Sequence, residues 1–483
     1  MDETSSLLPA WSSSSSSSEA MQSDRVLVDV HDRSSSRDRL LEAAAAHRLH
    51  GLREVANLLR DSIPVIFSYI LQNSIQTASV VIVGQLGSAE LSVAAFSLML
   101  AFDGSQAFTG GKHSTDLSIH LQRCLIMLCL LFIPTGIAWA NMAPILIALG
   151  QDEELSRGTQ QYLRVLLLAA PGYIGFESLK KYLQCQGIMD ASTYMLILVT
   201  PINIALNVYF VHYTDFGIYG SPIALAFTFS FAFFFLIIYT AYSPTHTRNQ
   251  TWGGLQLRAV LDARSCTAFL KLALPGILMF ATEWIAFEIV ALAAARLGAV
   301  PLAAQSIIMT TDQILNTIPL GIGITASTRV GNALGRRDAA GAKLTGHLSA
   351  LMSALTGTIV MFSLLAVKDV YGYLFSNDES VVQLVSQVMP LVASFQVADG
   401  LAGSCGGVLR VAYYVLALPL GITLAFQAGY GLRGLWMGQV VALFIVGTCE
   451  YGVVWLGTDW EQEVRKGMLR NNSVMDEVSE LSA

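Results

Sequence analysis

From Ile63 onward, apolar runs of bilayer length alternate with short polar joints. This is the pattern that stacked membrane-crossing helices of about 20 residues require. The runs predict spans at 63–83, 91–108, 122–147, 162–178, 193–213, 221–242, 273–296, 302–327, 347–367, 386–409, 411–427 and 434–456. That makes twelve, two of them short. Ahead of them, "WSSSSSSSEA" and "HDRSSSRDR" are Ser-rich, charged and poor in apolar residues, which predicts a disordered tail. The expected organisation is a tail over 1–50, a six-helix lobe over 51–242, an inter-lobe linker over 243–270, a second six-helix lobe over 271–460, and a tail over 461–483.

Composition supports the membrane reading. The chain is 53% hydrophobic and 13% charged, against roughly 25% charged in soluble domains. The formal net charge of -7 adds little, because the acidic residues gather in tails and joints. Six cysteines are scattered without C-x-x-C or His-partnered spacing, so no disulfide framework and no metal site are expected. No nucleotide loop or nucleophile constellation is present, so neither an enzyme, nor a cofactor, nor a nucleic-acid partner is expected.

Basic residues give an orientation. Lys112, Arg123, Lys180, Lys181, Arg248, Arg258, Arg264, Lys271, Arg329, Arg336, Arg337 and Lys343 fall on even-numbered joints, whereas the odd-numbered joints are sparse. By the positive-inside rule the even joints, the linker and both termini are cytoplasmic.

The two halves repeat each other. A single ungapped offset of 211 residues aligns Pro64 with Pro275, Leu86 with Leu297 and Leu91 with Leu302. Two parallel halves of this kind are a common plan for alternating-access transporters. The Gly-polar joints at Gly104 and Gly331 break that offset and imply that the second span has lost about 16 residues. Arg410 also stands only 9 residues before Pro419, against 17 from Gln184 to Pro201, so the tenth and eleventh spans are expected to join without a loop.

Carboxylates inside the spans are the candidate chemistry. Each costs about 2.5 to 3.5 kcal/mol to insert, which makes it a functional hypothesis by default. In hydrocarbon a carboxyl is held more cheaply neutral than charged, which suits it to carry a proton. Glu283 and Glu288 lie in "LPGILMFATEWIAFEIV". At 100° per residue they point roughly 140° apart, so one faces an interior site and the other a neighbouring helix. Under the repeat Glu283 pairs with Gln72, so only the second half carries the acid. Asp312 with Asn316, and Asn203 with Asn207, have i, i+4 spacing and share a helix face. For these pairs substrate contact and interhelical hydrogen bonding stand as equal readings. Trp284 beside Glu283 would suit a flat organic cation, or would simply pack.

With these residues in view, the chain resembles the multidrug and toxic compound extrusion (MATE) family, in its eukaryotic branch. The resemblance runs from about Gly51 to Glu461 and rests on "GQLGSAEL", "GSQAF", "LKKYLQCQG", "PINIALN", "GIYGSPIA", "LPGILMFATEWIAFE", "TASTRVGNALG" and "ADGLAGSCGGVLR". It implies an all-α integral membrane fold of two six-helix pseudo-symmetric lobes, with the second and the tenth and eleventh helices shortened relative to the family. It also implies that Glu283 binds cation and proton, that Glu288 is required beside it, and that Asp399 is the tenth-span acid. The implied activity is export of organic cations, xenobiotics or metabolites in exchange for protons, sodium being the less favoured ion, by a monomer in a lipid bilayer. A flippase for lipid-linked saccharides or a peptide, and a transport-inactive short form, are the alternatives. "ETSSLL" (Glu3 to Leu8) has acidic-dileucine sorting spacing. It points to a vacuolar or endolysosomal membrane if it is read by adaptors, while plain disorder and the plasma membrane remain open.

Overall fold

The computed structural model describes residues 51–79, 82–83, 116–148, 153–256, 260–376, 378–405 and 413–466, with side chains throughout except at 116, 268, 271–284, 288, 299, 403–405 and 413. The predicted N-terminal tail, the second span with its expected shortening, the junction after Arg410 and most of the C-terminal tail lie outside the described residues.

Contacts divide the chain into Met1–Asn57 and Leu58–Ala483. Within the first unit, 51–57 are helical. Every regular element described in the second unit is also helical, in the order α1 (58–79), α2 (Asp116–Ala140), α3 (Met142–Ala148), α4 (Glu153–Leu166), α5 (Ala170–Cys185), α6 (Ala191–His212) and α7 (Gly220–Tyr242). A short α8 (Pro244–Asn249) follows, then α9 (Ala263–Leu297), α10 (Ala299–Gly335), α11 (Ala339–Tyr371), α12 (Glu379–Cys405), α13 (Leu418–Ile422) and α14 (Leu432–Gly452). π-helical turns flank α13 at Tyr413–Ala417 and Thr423–Gln427, and another extends α14 over Val453–Gly457.

Local chemistry sets the ends of the long helices. The Asp262 carboxylate accepts from the Ser265 N–H at 2.8 Å, and that of Asp338 from the Gly341 N–H at 2.8 Å, capping α9 and α11. Between α9 and α10 the chain turns on Gly298 at φ +125°, where a side chain would be strained, and Pro301 follows in the first turn of α10. At 35 residues and ~1.5 Å per residue, α9 is about 50 Å long and outreaches a ~30 Å hydrocarbon core.

Among the described residues, six segments are long and apolar enough to cross a membrane: Leu117–Ala140, Ala191–His212, Gly217–Tyr242, Ala339–Leu374, Glu379–Ala402 and Leu432–Gly457. The other described helices are shorter or mix polar side chains into their apolar runs, as α10 does with Gln305, Asp312 and Asn316. Exposed Phe, Ile and Leu side chains, such as Phe234, Ile359 and Phe362, coat these segments, as a lipid-facing surface requires. Buried apolar residues form two large clusters, one drawn from Ile75 to Leu236 and the other from Ala286 to Leu443.

One predicted joint is corrected. Lys180 and Lys181 read as cytoplasmic-joint residues after a span ending at 178, but α5 continues to Cys185 and both side chains are buried. Glu177, three residues earlier on the same face, neutralises Lys180 and lets the helix carry a charge pair into the interior. Arg123 is likewise buried on α2, where its Nε donates to the Val260 carbonyl at 3.2 Å.

Candidate functional site

In the C-terminal half, α10 and α12 bring two acids together. Asp312 on α10 is buried, and its Oδ1 accepts from Gln396 Nε2 on α12 at 2.7 Å. Asp399 lies one turn beyond Gln396, buried, and within electrostatic reach of Asp312. Among the described residues, Asp399 Oδ2 is buried without a hydrogen-bond partner. Packing fixes this arrangement: a Cβ on Gly357 of α11 would meet the Gln396 carbonyl oxygen at 2.6 Å, so only glycine lets α11 and α12 approach here. Nearby, Trp436 Nε1 on α14 donates to Gln305 Oε1 on α10 at 2.8 Å, and the Phe395 ring packs edge-on against Trp436 and Phe287.

The result is two buried carboxyls of neighbouring helices, of which Asp312 accepts the Gln396 amide N–H. Two adjacent carboxylates in low dielectric repel each other, so such a pair favours a shared proton or a bound cation.

The N-terminal half holds a second polar cluster that the sequence reading missed. Lys180 Nζ donates to Glu177 Oε1 at 2.6 Å and to Gln72 Oε1 at 3.1 Å, and lies 4.4 Å from the centre of the Tyr69 ring. Gln72 Nε2 donates to the same Glu177 oxygen at 3.0 Å and to Tyr173 Oη at 3.3 Å. Lys181 Nζ donates to Tyr69 Oη at 3.0 Å. The Glu177–Lys180 pair is 3% and 0% exposed, a fully interior ion pair.

The sequence-predicted residues thus fall into separate places. Asp312 and Asp399 meet, with Asn316 half-buried one turn along α10. Gln72 instead joins the N-terminal cluster on α5. Asn203 Nδ2 donates to Thr228 Oγ1 on α7 at 3.0 Å, and Asn207 Nδ2 to Ser79 Oγ on α1 at 3.2 Å, the interhelical alternative raised for this pair. Glu283, Trp284 and Glu288 lie on α9, and their side chains are outside the described residues. The missed signal was Glu177 with Lys180 at i, i+3 inside the apolar stretch of α5, the spacing of an intrahelical ion pair.

Comparison with known proteins agrees with this architecture. The MatE family model matches residues 105–209 and 275–426. The chain is 34% identical over 452 residues to Uncharacterized transporter C323.07c of Schizosaccharomyces pombe, covering 86% of this chain and 83% of that one. It is 31% identical over 447 residues to Multidrug and toxin extrusion protein 2 of Mus musculus, covering 86% and 77%. It also resembles the crystal structure of the eukaryotic MATE transporter AtDTX14, with a TM-score of 0.78 at 25% identity, covering 88% of this chain and 99% of that chain. The fold is that of a membrane transporter and not of an enzyme, and the chain belongs to the MATE family.

Proposed function

We propose that this chain exports organic cations, xenobiotics or amphipathic metabolites in exchange for protons, with its two halves rocking to alternate access. The observation that supports the reading is the buried Asp312–Gln396–Asp399 arrangement, with one Asp399 oxygen unpartnered among the described residues. A proton and the solute's cationic group compete for these carboxyls. Protonation from the acidic side releases the solute, and deprotonation on the cytoplasmic side admits the next. Glu283 is assigned to the same exchange on α9, with Glu288 supporting it and Trp284 offering a face to the cation. Protons are preferred over sodium as the coupling ion. The remaining basic joints support cytoplasmic termini, and the protein works as a monomer in a vacuolar or endolysosomal membrane.

The second reading, flipping of a lipid-linked saccharide or a peptide, gains from one observation. Lys180 and Lys181 are interior residues, so cationic groups are not confined to the joints. Vesicles with an acidic lumen separate the readings: the antiporter accumulates a fluorescent organic cation until the pH gradient is collapsed. Reconstituted protein that ignores the gradient but moves a labelled lipid-linked saccharide would replace export by flipping. A chain inert in both assays, but active once its second helix and the loop after Arg410 are restored to family length, would be the short, inactive form.

A further inference from the structure

Among the described residues, an antiparallel pair of helices, α1 and α10, joins the two halves. Asp61 Oδ2 near the start of α1 accepts from Arg329 Nη1 near the end of α10 at 2.7 Å. Two turns further along, Ile66 lies against Gly321 so closely that a Cβ on Gly321 would meet Ile66 Cγ1 at 2.5 Å and the Ile66 nitrogen at 3.1 Å. Val65, Tyr69 and Met189 pack with Leu320 and Ile324 in the same strip. Beside it, Asn332 Nδ2 at the end of α10 donates to the Cys185 carbonyl at the end of α5 at 3.3 Å, and Cys124, Met127 and Leu128 of α2 pack with Cys266 and Phe269 of α9. All these contacts lie toward the helix ends that carry the basic joints.

We propose that this strip is a gate at the basic face, shut in this structure, and that the buried N-terminal ion network positions its plug. Asp61, Val65, Tyr69 and Gln72 recur on α1 at three- and four-residue spacing and so form one stripe. Asp61 with Arg329 is the latch at the rim. Tyr69 with Leu320 and Ile324 is the apolar plug. Gln72 and Tyr69 are gripped from α5 by Lys180 and Lys181, and Glu177 holds Lys180 in place. Buried ion pairs add little net stability over apolar packing. The use of this one is geometric: two successive turns of α1 are fixed to α5, so the Tyr69 ring meets α10 in one orientation. Opening the face separates α1 from α10, breaks the latch and withdraws Tyr69. Glu177, Lys180 and Lys181 are therefore positioning residues that act through Tyr69.

The proposal rests on the alternating-access reading above and on the basic face being cytoplasmic. Its test needs neither solute nor proton gradient, so the two can fail separately. Thr325, fully buried between Gly321 and Arg329 on α10, becomes the reporter as Thr325→Cys in a chain whose six cysteines are replaced. A membrane-impermeant maleimide is applied to each face in turn. In the parent the reporter reacts slowly from the basic face. Asp61→Asn, Lys181→Gln and Gly321→Ala each raise that rate by about fivefold or more, the lower end of ordinary coupling between conformational states. The charge swap Asp61→Arg with Arg329→Asp returns it toward the parental rate, which also shows that the chain still folds. An unchanged rate in Asp61→Asn and Gly321→Ala would overturn the gate. An unchanged rate in Lys181→Gln alone would overturn the positioning role of the network.

Discussion

The Glu177–Lys180 pair gives the sharpest stability prediction. Both side chains are out of solvent, at 3% and 0% exposure, and 2.6 Å apart. Glu177→Gln keeps the shape but removes the counter-charge, leaving the buried Lys180 ammonium with neutral partners, among them the Gln72 carbonyl oxygen at 3.1 Å and the Tyr69 ring at 4.4 Å. A cation–π contact in a dry site contributes about 2 kcal/mol, whereas a buried charge stripped of its partner costs about 3 to 5 kcal/mol. Glu177→Gln and Lys180→Met should therefore each destabilise the protein by roughly 3 kcal/mol or more. The double variant Glu177→Leu with Lys180→Met removes both charges and should stay within about 1 kcal/mol of the parent, since apolar replacement of a whole buried pair is often neutral or better. Unfolding of the four proteins in one detergent measures the cycle. Single variants that unfold like the parent, or a double variant as weak as the singles, would show that the pair is not a buried charge pair of this kind. The rescued double variant keeps the Lys181–Tyr69 hydrogen bond but loses the hold of Lys180 on Gln72 and the Tyr69 ring, so its basic-face labelling should stay faster than the parent's.

Other outcomes follow from the same geometry. Gly357→Ala forces a methyl group against the Gln396 carbonyl at 2.6 Å and the Val397 Cα at 2.9 Å; it should destabilise by about 1 to 3 kcal/mol and lower transport, read by thermal unfolding and dye uptake on the same preparation. Trp436→Phe deletes the N–H that Gln305 Oε1 accepts, inside a site where Gln305 Nε2 is already unpartnered among the described residues; a loss of about 1 to 3 kcal/mol is expected in the same melts. The backbone N–H of Ser265 holds the Asp262 carboxyl below its ordinary value. The cap's contribution is thus complete above the unfolded-chain value of 3.8 and fades as pH falls through the lower folded value. Hydrogen exchange at the start of α9 should accelerate below about pH 4, and Asp262→Asn should flatten that dependence.

Helix positions were legible because lipid imposes a one-dimensional code. Apolar runs predicted at 193–213 and 221–242 appear as helices over Ala191–His212 and Gly220–Tyr242. α5 was misread for the same reason. Averaged along the chain, "FESLKKYLQC" looks like a polar joint, and only its three-dimensional partners show that the charges cancel in the interior. The acid pair was half legible. Asp312 and Asp399 each stood out as a charge in a span, but 87 residues separate them, and nothing local shows that Gln396, one turn before Asp399, would donate to Asp312. Likewise the i, i+4 spacing of Asn203 and Asn207 marked a shared face without saying that Thr228 and Ser79 would be opposite. The Asp61–Arg329 latch spans 268 positions and carried no sequence signal beyond a basic residue at a helix end.

Exchange of solute and proton through the acids of the C-terminal half can be followed by reconstituting the chain in vesicles that hold a pH-sensitive dye in an acidic lumen and adding an organic cation outside. The lumen should lose protons as the cation enters, in step with it, and Asp399→Asn should abolish both movements. Cation entry without proton loss, or a proton response that survives Asp399→Asn unchanged, would contradict that exchange.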